Sequence, residues 1–220
     1  MSDNKSGSRP VPVEYELRLK DGSDFWLREA SDFLMRTGSV YDTLRELAES
    51  LEAAQIPYAV IGALALGEHG FARVTVDVDV LLTREGLDQF MREFVGRVYR
   101  PAFEGARKSF RSSKTGVRID IILSGEYPGD GMPKAVSFPH PSDAAFERAG
   151  IHYLKLEKLI ELKLASGLSA AHRGRDLVDI QDLIRETKLP LDLAEKLDES
   201  VRVAYRDLWA KAQIVDPLQG

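Results

Sequence analysis

At 220 residues and 24.5 kDa the chain is long enough for one sizeable core, and 44% hydrophobic with 30% charged residues excludes a disordered or fibrous class. A net charge of −5 and a pI near 5.5 argue against sequence-independent coating of nucleic acid, and no apolar run reaches the ~18 residues of a membrane span. With no cysteine there is neither a disulfide nor a thiolate zinc site, and a cytoplasmic address is the default.

Met1 to Pro12 is rich in Ser, Gly, Pro and Asn without the apolar segment of a signal peptide, so residues 1–14 read as a flexible leader. Residues 15–57 read as helices covering the core. Ser23-Asp24 is suited to cap a helix running to about Arg36, and Ser39 with Asp42 resembles a capping box for a second. In that second helix Leu44, Leu47 and Leu51 recur at helical spacing until Pro57 approaches. Residues 58–150 form the expected catalytic core. Its pattern predicts strand Tyr58–Ile61, helix Gly62–Gly70, strand Val74–Leu82 and helix Arg84–Val95, then short strands over Val98–Phe103, Arg107–Arg111 and Gly116–Leu123. Strands mixed with helices in this order give an α/β (α+β) fold. Ser124 to Pro141 holds three glycines and four prolines, which fits a rim or lid over a site as well as a plain connector. Residues 151–220 read as a helical C-terminal region, with helices over Leu154–Leu168, Arg173–Glu186 and Leu193–Gln213, the last striped by Leu197, Val201, Ala204 and Leu208.

The chemistry concentrates on strand acids. Along Val74–Leu82 the valines and Leu82 share one face, leaving Thr75, Asp77 and Asp79 on the other. Two carboxylates on one strand face are separated by roughly 7 Å of rise, close enough to hold or flank divalent cations. Asp120 stands mid-strand, alternating with Val117, Ile119, Ile121 and Leu123. A carboxylate there needs a cation, metal or basic partner, so a three-acid platform for one or two Mg²⁺ competes with neutralisation by Arg118 or Arg73. Upstream, Gly62-Ala63 follows an apolar run and opens a short helix with free backbone N–H groups.

Ile61-Gly62-Ala63, thirteen residues from Leu64 to Val76, and Asp77-Val-Asp79-Val resemble the signature of the nucleotidyltransferase superfamily that includes polymerase β-like and minimal nucleotidyltransferases. More narrowly, three segments are similar to AbiEii-type bacterial nucleotidyltransferases, relatives of type IV toxins: Arg73 to Asp79, the run starting at Asp120, and Lys163 to Asp179 with Arg173, Arg175 and Asp176. The resemblance covers about residues 56 to 186. It implies a mixed sheet flanked by helices, Mg²⁺ on Asp77, Asp79 and Asp120, and transfer of a nucleoside monophosphate from an NTP to a hydroxyl acceptor with release of pyrophosphate. It places Gly62, Ala63, Arg73 and Thr75 around the nucleotide. Lys163 would steer triphosphate or acceptor, oriented by Asp176. By the same resemblance the acceptor is tRNA, another protein or the enzyme itself, and an antitoxin encoded next door is a candidate partner; no membrane is implied. One departure stands out: the family has Gly-Gly or Gly-Ser where this chain has Gly62-Ala63, which keeps the N–H but loses a hydroxyl donor. A nucleotide-binding or antitoxin-like module without turnover, and a fold whose acids bind cations for stability, remain as alternatives.

Helical geometry independently places Lys163 on the inward arc of its helix with Leu156, Leu159 and Ile160, opposite Glu157, Lys158 and Glu161. Asp176 falls beside Ile180 and Leu183, so a buried Lys163–Asp176 pair is expected, functional or merely joining two helices. Asp179 and Arg175, at i,i+4 spacing, read as structural. From Arg97 to Arg118 seven Lys and Arg face one Glu, interleaved with Tyr99, Phe103 and Phe110. Such a hairpin fits either an RNA or nucleotide grip or a charged edge that resists sheet-to-sheet association. His69, His140, His152 and His172 are scattered without metal-ligand spacing, and no serine sits in a nucleophile elbow.

Overall fold

Strand alternation builds the centre of the molecule. In β2 (Asp77–Leu82) and β5 (Arg118–Leu123) the apolar residues of one parity are buried, while Asp77, Asp79, Arg118 and Asp120 of the other keep access to solvent. The computed structural model describes residues 15–21 and 23–214. With β1 (Tyr58–Val60), β3 (Tyr99–Pro101), β4 (Ser109–Ser112), β6 (Ala145–Arg148) and β7 (Ile151–Leu154), these strands form one mixed sheet of order β3-β4-β5-β2-β1-β7-β6. The pairs β2–β5 and β1–β7 are parallel and the other four antiparallel.

Helices flank this sheet. α1 (Tyr15–Asp21), α2 (Ser23–Leu34) and α3 (Gly38–Ala53) precede it; α4 (Gly62–Glu68) and α5 (Arg84–Phe94) follow β1 and β2; α6 (Pro141–Ala144) leads into β6. After β7 come α7 (Leu156–Ser169), α8 (Gly174–Thr187) and α9 (Glu199–Ala212), which pack on one another. The leucine stripe of α3, Leu44, Leu47 and Leu51, is fully buried in the core, as its spacing demands. Phe90 of α5 stacks on Tyr99 at 5.2 Å between centroids and meets Phe110 edge-on at 5.3 Å, fastening the β3–β4 arm to the core. No helix of the described residues is long and apolar enough to cross a membrane.

Several elements differ from the sequence expectations. The leader, residues 1–14, and the Ser23 side chain lie outside what is described. Residues 145–154, for which no strand is predicted and whose last four fall in the expected helical region, form the β6–β7 hairpin instead. Its two-residue turn puts Ala149 and Gly150 at φ +53° and +75°, a conformation an alanine does not advertise. The strand predicted from Val74 begins only at Asp77. Ser39 lies inside α3 and donates to Glu29 Oε1 at 3.1 Å; the N-cap is Thr37. The stretch Leu193–Gln213 breaks at Leu197, because Asp198 caps α9 by accepting from Ser200 N at 2.9 Å. Glu161, assigned to the polar arc, is buried and accepts the Asp198 N–H at 2.8 Å.

The aromatic cluster predicts a cost. Phe90→Ala should lower the free energy of urea unfolding by about 3–5 kcal/mol, with the denaturant slope unchanged.

Candidate active site

Register decides the site. Parallel pairing of β2 with β5 sets Asp79 opposite Asp120 and Asp77 opposite Arg118, and antiparallel pairing sets Ser109 of β4 opposite Asp120. One oxygen from each of Asp77, Asp79 and Asp120 lies within 4.8 Å of the others. These three are brought together as the spacing implied. Each is held differently. Thr75 Oγ1 donates to Asp77 Oδ1, Ser109 Oγ donates to Asp120 Oδ1 at 2.6 Å, and Arg118 joins Asp77 to Asp120. The alternative by which a basic residue neutralises the acids therefore applies to Arg118. Arg73 pairs elsewhere.

Asp79 forms no ion pair among the described residues. Crowding away from water, and then the like charges of Asp77 and Asp120, push its carboxyl from the ordinary 3.8 up to about 7, against the weaker pull of Lys163 and Arg118. Gly62 makes this crowding possible. At φ +67° it brings the start of α4 against the carboxylate so closely that a Cβ would overlap Asp79 Oδ2, while Ile61 N donates to Asp79 O at 3.0 Å. Ala63, expected beside the nucleotide, is buried in the core and off the cleft wall.

A cleft of about 960 Å³ opens over the acids. Arg73, Thr75, Lys163 and Asp176 all line it, as do Phe103 and Arg107 from the β3–β4 loop. The segment after β5 forms its rim, contributing Glu126 to Gly131 and Phe138. Bonds from Phe138 N to Glu126 O (2.9 Å) and from Gly125 N to Phe138 O (2.8 Å) close its neck, and Lys108 Nζ, just before β4, ties the rim to the β3–β4 loop by donating to both Glu126 oxygens at 2.8 and 2.9 Å. Of the two readings of this segment, the wall of a cleft is the one realised.

A second ion network forms the opposite wall. Lys163 Nζ donates to Asp176 Oδ1 at 2.7 Å, the expected pair, and also to Asp179 Oδ2 at 2.8 Å. Asp179 is buried and lies 3.1 Å from Arg73 Nε, whereas Arg175 approaches it only to 3.9 Å. The i,i+4 contact with Arg175 is thus the longer one, and Asp179 is structural as expected, a buried acid whose inward partners, Lys163 and Arg73, are what the i,i+4 reading missed. Its place one helical turn after Asp176 was the available signal. Ser109 is a partner of Asp120 that the sequence reading missed; Arg118, which shares the strand parity of Asp120, is the neutralising partner it had weighed. The basic hairpin is partly engaged: Tyr99 and Phe110 are core, Arg111 is buried against Glu16 at 2.6 Å, and only Phe103 among those aromatics is exposed. His69 Nε2 meets Leu154 O at 2.8 Å, and burial pushes its pKa down, so it is a core histidine.

Carboxylate oxygens are hard donors, and three converging on one point suit Mg²⁺ or a similar cation better than a soft metal. No family model matches the chain, and no curated protein is similar to it. Among solved structures it is similar to an antigenic nucleotidyltransferase-like protein from Paracoccidioides brasiliensis, at 15% identity over 77% of this chain and 87% of that one, TM-score 0.47. It is also similar to a putative nucleotidyltransferase from Thermotoga maritima, at 20% identity over 64% and 91%, TM-score 0.42. A third, ANT(2")-Ia in complex with adenylyl-2"-tobramycin, matches at 16% identity over 75% and 96%, TM-score 0.47. The chemistry rests on this chain's own side chains.

Two outcomes test the geometry. Between pH 4 and 7 the folded chain holds a proton on Asp79 that the unfolded chain has lost, so stability falls as pH rises across that window and is level above it. In chelator, urea unfolding at pH 5 and pH 8 should show a loss on the order of a few kcal/mol in the wild type, and Asp79→Asn should abolish it. Gly62→Ala should destabilise by about 1–3 kcal/mol through its left-handed φ and the overlap with Asp79.

Proposed function

We propose that the chain is a divalent-cation-dependent nucleotidyltransferase that moves a nucleoside monophosphate from an NTP to a hydroxyl acceptor. One observation carries this reading: Asp77, Asp79 and Asp120 converge on the floor of a single cleft, their oxygens within 4.8 Å of one another. Three carboxylates crowded together have no structural use that apolar residues would not serve better, and the charges of Asp77 and Asp120 raise the proton affinity of Asp79. A cleft of about 960 Å³ is ample for a nucleotide together with the end of its acceptor.

In this reading Asp77, Asp79 and Asp120 would hold one or two Mg²⁺ ions, which would supply positive charge to the phosphate oxygens. Asp120, its Oδ1 steadied by Ser109, is the acid placed to take the acceptor's hydroxyl proton. The acceptor oxygen bonds to the α-phosphorus as the bond from that phosphorus to the bridging oxygen of the β-phosphate breaks, and pyrophosphate leaves. Lys163, pre-oriented by Asp176 and Asp179, meets the developing negative charge. Gly62 serves by admitting Asp79, and Thr75 by holding Asp77; Arg73, like Lys163, tethers Asp179. An AbiEii-like toxin acting in the cytoplasm on tRNA or a protein, held in check by a neighbouring antitoxin, is the finer proposal that the motif resemblance supports.

A second reading has its own observation. Arg118 already neutralises Asp77 and Asp120, as in a module that binds nucleotide without turning it over. Incubation with each labelled NTP, Mg²⁺ and total RNA or protein separates the two. The wild type should transfer label to an acceptor, and Asp77→Ala and Asp120→Ala should lose at least about 100-fold of that rate, the scale of removing a key charge-stabilising group. NTP binding with no label on any acceptor, indistinguishable between wild type and Asp77→Ala, refutes the enzyme.

A further inference from the structure

Arg118 lies two residues before Asp120 on β5, and the parallel register sets it across from Asp77. Its guanidinium reaches both acids. Nη2 donates to Asp77 Oδ2 at 2.9 Å, and Nε stands 3.0 Å from Asp120 Oδ2. Thr75 and Ser109 take the Oδ1 atoms of the same two carboxylates, so the Oδ2 atoms are what Arg118 occupies. The two contacts are unequal. The first is a formed hydrogen bond; in the second the Nε–H is misaligned, and that nitrogen is buried with no hydrogen-bond partner. An arginine fork matches the two oxygens of one carboxylate, and here it is stretched between two different ones. The side chain nevertheless keeps 40% exposure and lines the cleft, so it has room to leave.

We propose that Arg118 is a placeholder cation: it holds the Oδ2 atoms of Asp77 and Asp120 where a divalent cation would take them, and it must swing off before that cation binds. This rests on the nucleotidyltransferase reading of the same acids. Arg118 is a positioning residue that sets how tightly and selectively the site accepts its ion. The physical reason is competition. A cation's apparent dissociation constant is its intrinsic value divided by the fraction of time the acids stand free of Arg118, so a pair open about one-tenth of the time weakens binding about tenfold. Only an ion with enough charge to outbid a guanidinium on two carboxylates displaces it, which favours divalent over monovalent cations.

The test is titration of the full chain with Mn²⁺ alone, without nucleotide, following the free ion by paramagnetic resonance. Arg118→Gln should bind Mn²⁺ about tenfold more tightly than wild type, and Arg118→Lys, which keeps the charge but loses the fork, should fall between them. Should Arg118→Gln not fold, as thermal melting in chelator would reveal, the Arg118→Lys comparison decides alone. Equal or weaker Mn²⁺ affinity in the folded variants overturns the placeholder while leaving the enzyme reading intact. Absence of Mn²⁺ binding in the wild type and both variants, with Asp77→Asn no different, overturns the reading of the acids itself.

Discussion

Parallel pairing of β2 with β5 is the constraint on which the site depends. It places two carboxylates, Asp79 and Asp120, directly across from one another, with a third, Asp77, two residue pairs away. Like charges opposite each other in a sheet repel, and the surrounding residues are arranged to absorb that repulsion. Thr75 and Ser109 donate to the outer acids, Arg118 spans them, and Asp79 at the centre retains a proton to near neutrality. Hydrogen bonds and one cation thus hold together a cluster that would otherwise push its strands apart.

A second constraint couples the sheet to the helices behind it. Lys163 on α7 and Asp176 and Asp179 on α8 form a buried network that reaches Arg73, ahead of β2. Removing one partner of such a network typically costs about 3–5 kcal/mol, because the remaining charge stays buried and uncompensated. The cleft accordingly has two walls of different origin: hydrogen-bonded strands carrying the acids, and helices locked by ion pairs carrying the lysine. The rim segment joins them, bonded to the β3–β4 loop through Lys108–Glu126 and packed on α7 where Gly129 approaches Ser166 and Ser169 too closely for any side chain.

Much of this was legible in the residues. Alternation placed Asp77, Asp79 and Asp120 on the strand faces turned away from the apolar residues, helical spacing turned Lys163 inward towards Asp176, and the Gly- and Pro-rich run announced an irregular segment. The misses have a common form. The β6–β7 hairpin hides because Ala149 takes a left-handed turn position usually held by Asn or Gly. The basic hairpin fitted either a grip or a guarded edge, and only packing shows that Tyr99 and Phe110 are core, Phe103 is exposed and Arg111 turns inward to α1. Asp179 read as structural through its spacing from Arg175, and its shorter contacts, to Lys163 and Arg73, lie outside its own helix.

What the sequence determined alone is whatever repeats within one element: which side of a strand an acid occupies, which arc of a helix a lysine shares with leucines, where a glycine permits an unusual φ. Periodicity is a local property, and two or three residues suffice to express it. What only the tertiary structure decided is who meets whom between elements. That β5 lies beside β2 in parallel, in the register that sets Asp120 against Asp79 and Arg118 against Asp77, follows from burying Val78, Val80, Ile119 and Ile121 in one shared core. A slip of one residue would have turned every one of those acids to the opposite face, and no local pattern records which register the packing selects.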